Sequence, residues 1–245
     1  MSRFAARVTL FILVTFLVVG CTEKEVNYYS NPYVVDGEAL SESVEIGDLI
    51  IIRNDNQINV DTNEKQVHID LPDSESMIQS VHVSYDQRFL AVDTWKDEVA
   101  KIFVVNLETN DVIDVSDEIG YRYDYDGYES PYGLAWAPNE NILAFVGGHN
   151  EKPASPRVNM YHPEMEIEQQ FKGVSHIYKA IYGVKWDEDG RSIYYLVNSL
   201  EGEALYSLYQ TEIEMKSGEH LTSGTIFHVS EEQDRDDFNE WLGKK

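Results

Sequence analysis

LAWAPNENILAFV, residues 134 to 146, reads as the apolar end of one strand, a polar turn containing Pro138 and Asn139, and a second apolar strand. The pattern recurs in VKWDEDGRSIYYL at residues 184 to 196, where Trp186 takes the place of Trp136. It recurs again in VSYDQRFLAV at residues 83 to 92, with Val83 in that place. The anchors Val83, Trp136 and Trp186 lie 53 and then 50 residues apart. A period of this length marks stacked supersecondary units rather than one irregular fold.

Outward from these anchors, each unit divides into four short strands. The unit beginning at Val81 predicts strands near residues 82–84, 89–94, 101–106 and 112–115; the next predicts 132–136, 142–147, 157–161 and 166–171. The last predicts 183–186, 192–198, 205–210 and 219–221. Upstream, LIIIR (49–53), INV (58–60) and QVHIDL (66–71) are joined by the polar turns NDNQ and TNEK, a meander. KIFVVNLETNDVIDV, residues 101–115, repeats its ending with ETND in the place of TNEK.

Repeated four-stranded sheets over residues 46–229 predict an all-β fold, a small β-propeller of about four four-stranded blades. WAPNENILAF and WDEDGRSIYY resemble the W-S-P-D-G-x-x-I-A-F core of TolB-type, WD40-like propeller repeats, although Val83 and Gln87 depart from the tryptophan and the glycine of that pattern. The resemblance implies a propeller and transfers no catalytic residue, because the motif is architectural.

The first unit lacks an obvious first strand, and TIFHV at residues 225–229 is left over at the other end. Pairing the two closes a ring and removes an exposed sheet edge. The competing arrangement is an open arc of blades, completed by a second copy or by another protein. Residues 230–245 read as a short C-terminal helix. Ser230 caps it with Gln233 three residues on, Gly243 ends it, and Phe238, Trp241 and Leu242 share one face.

At the other terminus, Arg3 and Arg7 precede the apolar run Val8 to Val19. A largely apolar run of twelve residues is too short for an ordinary spanning helix, which needs about twenty. The segment 1–20 therefore reads as a signal peptide. Val18-Val19-Gly20-Cys21 resembles the lipobox of bacterial lipoproteins, which implies cleavage before Cys21 and acylation of its thiol. The alternatives are an incidental cysteine and an uncut N-terminal anchor. Two acyl chains on one residue hold a protein stably where one does not. That resemblance implies a lipid-anchored protein of the cell membrane or outer membrane, facing the periplasm or the exterior. Cys21 is the only cysteine, so no intramolecular disulfide forms. Residues 21–45 read as a lipidated tether, although the aromatic stretch YYSNPYVV within it is able to pack on the domain.

The chain carries 19 basic and 44 acidic residues. Without the first twenty residues the balance is 17 against 44, or −27. A field of that sign repels phosphate backbones and argues against nucleic acid binding. It suits solubility, cationic partners or divalent ions.

The densest chemistry lies in DVSDEIGYRYDYDGYESPY, residues 114–132. Asp117, Asp124, Asp126 and Glu129 are hard oxygen donors, and Asp124-Tyr125-Asp126-Gly127 has the acidic alternation of a calcium loop. The full EF-hand spacing is absent, so the alternatives are a bound Ca²⁺ and a solvated acidic loop. Tyr121, Tyr123, Tyr125 and Tyr128 suit a recognition surface, or else one face of an extra strand. NEKPASPR at residues 150–157 reads as a protruding loop. The seven histidines show no zinc spacing, and neither a G-x-S-x-G elbow nor a glycine-rich phosphate loop occurs.

These observations favour a membrane-anchored envelope lipoprotein that binds an envelope protein without catalysis. A propeller enzyme acting on glycans or through a metal, with Asp117, Asp124, Asp126 and Asp187 converging in one pocket, is the alternative. A structural subunit completed by a partner's blades is the third reading, and an exposed apolar sheet edge marks it.

Overall fold

The computed structural model describes residues 29, 34–36, 43–54, 57–72, 76–96, 99–115, 133–147, 157–165, 171–175, 179–199, 206–216 and 220–233. All seventeen elements among them are strands, gathered into four antiparallel sheets. After β1 (Val34–Asp36), the first sheet is a meander of β2 (Val44–Ile46), β3 (Leu49–Asn54), β4 (Gln57–Asp61) and β5 (Gln66–Asp70). The second runs β6 (Met77–Val83), β7 (Phe89–Lys96), β8 (Val99–Asn106) and β9 (Val112–Asp114), with β1 added outside β6. The third comprises β10 (Leu134–Trp136), β11 (Leu143–Gly147), β12 (Arg157–Tyr161) and β13 (Phe171–Ser175). The fourth comprises β14 (Lys179–Trp186), β15 (Ser192–Ser199), β16 (Tyr206–Lys216) and β17 (His220–Gln233).

Apolar residues fall on both faces of the middle sheets, and this is what lets the sheets stack. Alternate residues of a strand face opposite ways, so a run such as Phe89-Leu90-Ala91-Val92 supplies two layers at once. Leu90 and Val92 join Ile51, Val60 and Val67 between the first and second sheets. Phe89 and Ala91 join Trp136, Leu143 and Phe145 between the second and third. Ala144 and Val146 join Trp186, Ile193 and Tyr195 between the third and fourth.

The first sheet buries an apolar inner face, and its outer face is mostly polar, with Ile50 and Ile52 of β3 as apolar residues among those described there. β4 and β5 alternate strictly: Ile58, Val60, Val67 and Ile69 are buried, whereas Gln66, His68 and Asp70 are exposed. The outward row is tied by hydrogen bonds from Gln57 Nε2 to Asp70 Oδ1 at 2.6 Å and between His68 Nδ1 and Asn59 Oδ1 at 2.6 Å. It is the polar outer face of a terminal unit. In the fourth sheet, Tyr194, Leu196 and Leu208 are buried although they belong to none of the three layers.

Three expectations change. The missing first strand of the first sheet is β2, which begins at Val44 inside the stretch read as tether. TIFHV does not supply that strand: it lies in β17 and pairs with β16, with Thr211 opposite Ile226 and Tyr209 opposite His228. Ser230 to Gln233 likewise continues β17, Leu208 opposite Ser230 and Tyr206 opposite Gln233, instead of capping a helix. A capping signal is a local preference of about 1 kcal/mol, and here pairing along β16 overrides it. The remainder of the expected helix, with Phe238, Trp241 and Leu242, lies outside the described residues.

Candidate functional site

The three anchors occupy equivalent places. Val83, Trp136 and Trp186 each end the first strand of their sheet. Each tryptophan is fully buried against the preceding sheet and donates its Nε1–H to that sheet's first strand. Trp136 reaches the carbonyl of His82 at 3.0 Å, and Trp186 reaches that of Ala135 at 2.9 Å. In both cases the acceptor is the residue just before the previous anchor. The indole adds a second bond to a buried carbonyl that its own ladder already uses, while its rings fill the layer.

The turns that follow the first strands are stapled to one another. Asp48 N–H donates to Gln87 Oε1 at 3.1 Å, linking the first and second sheets. Asp86 links the second to the third, accepting from Arg88 Nε at 2.6 Å and from Asn141 Nδ2 at 2.9 Å. Arg88 also pairs with Glu164 at 2.7 Å. Asn139 Nδ2 donates to the carbonyl of Asp189 at 3.0 Å, linking the third to the fourth. Burial alone raises the Asp86 pKa, but hydrogen bonds from Arg88, Asn141 and Ser84 outweigh it and hold the carboxyl below its usual value. The two outer turns that sequence alignment pairs also touch, Lys65 Nζ donating to the Glu108 carbonyl at 2.8 Å. Gln87, which departs from the repeat's glycine, adopts the same left-handed backbone as Gly190, at φ 62 against 70.

All four sheets therefore present these turns at one end of the array. The opposite end follows from strand direction. β9 ends and β10 begins there, and so do the breaks between β11 and β12 and between β15 and β16. The acidic, tyrosine-rich connection departs after Val115 and returns at Gly133; NEKPASPR departs after Gly147 and returns at Arg157. Both loops singled out in the sequence thus leave from the same end, opposite the staples.

Asp117, Tyr121, Tyr123, Asp124, Tyr125, Asp126, Tyr128 and Glu129 themselves lie outside the described residues, as does Cys21. Asp187 is described. It sits at the stapled end and accepts from Tyr194 Oη at 3.0 Å and Gln210 Nε2 at 3.5 Å. It thus stands at the end opposite to that from which the acidic loop departs. Among the described residues no group of three or more His, Cys, Asp or Glu side chains is arranged to hold a metal, and no helix is long and apolar enough to cross a membrane.

A buried polar pair escaped the sequence. His82 is wholly buried, with Nε2 2.8 Å from Ser80 Oγ and Nδ1 without a hydrogen-bond partner among the described residues. Burial pushes its pKa down to about 4. Only its place beside an anchor marked it out.

The class defined by this geometry is an all-β chain of four small antiparallel sheets. No protein-family model and no curated protein matches the chain. Solved structures do. Hydrazine synthase of Kuenenia stuttgartiensis is similar at 14% identity and a TM-score of 0.44, over 76% of this chain and 53% of that one. A prolyl endopeptidase is similar at 12% identity and a TM-score of 0.48, over 94% and 34%. Oligopeptidase B of Trypanosoma brucei follows at 11% and 0.47, over 74% and 25%. The chain spans about half the length of the first and about a third or less of the other two. A likeness of this size transfers none of their activities.

Proposed function

We propose that the chain is a membrane-anchored envelope lipoprotein whose propeller-like array of four blades displays binding loops to an envelope protein, without catalysis. The observation that supports this reading is the division of labour between the two ends. Side chains and backbone lock the turns of adjacent blades at one end, and the longer, chemically distinctive connections leave from the other. Rigid scaffolds that carry variable loops on one face are a common way of building recognition surfaces. The acidic, tyrosine-rich connection is the contact surface, and Asp117, Asp124, Asp126 and Glu129 give it a site for Ca²⁺. The outer face of the first sheet, polar along β4 and β5, supports an open arc over a closed ring, while Ile50 and Ile52 on β3 of that face are the apolar feature that a partner's blade would cover.

Two measurements test the proposal. Metabolic labelling with palmitate, compared between the natural chain and Cys21→Ala, should label only the former, and the variant should leave the membrane fraction. Chemical cross-linking of the anchored protein in intact cells, with Tyr123→Ala and Tyr125→Ala as controls, should yield one stoichiometric envelope partner that the double variant loses. Equal cross-linking by the variant would remove the loop from the interface, and equal labelling would remove the anchor.

A further inference from the structure

The second sheet has five strands where the others have four. Its extra strand comes from far away in sequence: β1 lies antiparallel to β6, with Val34 opposite His82, Val35 opposite Val81 and Asp36 opposite Ser80. β6 is the first strand of its sheet, and its counterparts β2, β10 and β14 are all terminal in theirs. Five residues before β1, the Tyr29 N–H donates to the carbonyl of Trp186 at 2.9 Å, and the Tyr29 side chain packs against the layer between the third and fourth sheets. Within eight residues the chain therefore engages the second sheet and the fourth, at the anchor of one and beside the anchor of the other. The third sheet, whose β10 contacts both β6 and β14, lies between them.

We infer that the edge of β6 and the Trp186 carbonyl together form a site for an extended peptide, filled in the folded chain by Tyr29 and residues 34–36 and open to exchange for the same stretch supplied from outside. Main-chain pairing to a sheet edge supplies affinity for an extended segment, and side-chain contacts at intervals supply choice. Here the pairing is the ladder at Ser80 to His82, and the side-chain contact is Tyr29 against the third layer. The internal occupant is held by a short ladder. β1 pairs with three of the seven residues of β6, and Met77 at the strand's start is 60% exposed. This inference concerns the stapled core of the array and does not depend on the loops, on the anchor or on any envelope partner.

Antiparallel pairs alternate between positions whose N–H and C=O face the partner and positions whose groups face away. Of Val34→Pro and Val35→Pro in the full chain, one must therefore remove a donor to β6 and the other must not. Hydrogen exchange at the β6 amides should rise by about ten-fold or more in the first and stay at the natural rate in the second. A fluorescent peptide spanning residues 27–38, NYYSNPYVVDGE, should bind the disrupted variant by anisotropy, and the same peptide with the disrupting proline should not. Unchanged exchange in both variants would refute the site, as would equal peptide binding by the natural chain and both variants. Loss of the strand signal by circular dichroism in the disrupted variant would make the segment an integral part of the core and would equally end the proposal.

Discussion

Acidification should weaken this fold in part through the buried His82, beside smaller contributions from His162, also lowered by burial, and from Asp86. The His82 ring is wholly buried, and its pKa falls from an ordinary 6.5 to about 4 because burial disfavours the imidazolium. Nε2 meets Ser80 Oγ, whereas Nδ1 has no acceptor among the described residues to receive a new N–H. The native state therefore takes up the proton later than the unfolded chain. Between the two values the unfolded state holds more protons, so stability is complete above pH 6.5 and declines as pH falls toward 4. A depression of this size corresponds to a loss on the order of 3 kcal/mol, a large share of an ordinary domain's margin. Urea unfolding followed by tryptophan fluorescence from about pH 7.5 to about pH 4.5 would measure it. Carboxylates titrate in the same window, so the comparison that isolates the histidine is His82→Gln, whose curve should lack this component. Parallel pH dependence in the two proteins would refute the argument.

Three further outcomes follow from the staples and anchors. Gly190→Ala should cost about 1 kcal/mol or more, because it places a Cβ at φ 70 and against the Asn139 amide; equilibrium unfolding measures it. Gln87→Gly should stay within about 0.5 kcal/mol of the natural chain, since relief of the left-handed backbone is offset by loss of the bond to the Asp48 N–H. Trp186→Phe should cost about 2–3 kcal/mol by leaving the layer underfilled and removing the indole's bond to the buried Ala135 carbonyl, which keeps its ladder bond to Ala144. A chevron in which that loss falls equally on Trp136→Phe would support equivalence of the two positions.

The part of this architecture that was legible in sequence is the part governed by local chemistry. Trp136 and Trp186 announced the repeat because a large ring with one donor has few substitutes where two sheets and a carbonyl meet. LIIIR, INV and QVHIDL, joined by the polar turns NDNQ and TNEK, announced the meander that became β3, β4 and β5. Strands of three residues, such as β1 and β2, carry too little periodicity to be recognised, and this hid both the true first strand and the segment laid against β6. Pairing across distant residues also defeated local signals. Ser230 and Gln233 have the spacing of a helix cap, yet their backbone is occupied by β16. Gln87 hid a positive φ under a residue type that rarely adopts one. The candidate loop was conspicuous by composition alone, which identifies donor atoms but not the angles at which they meet.

The outer face of the first sheet also bears on how copies of the molecule meet at high local density. Head-to-tail growth requires two different surfaces that fit each other, and such contacts propagate without limit into filaments. Here the outer face of the first sheet offers Gln66, His68 and Asp70, already solvated, beside a narrow apolar strip of Ile50 and Ile52. Burying that strip against another copy would take the polar row next to it out of water, and this opposes head-to-tail growth from that face.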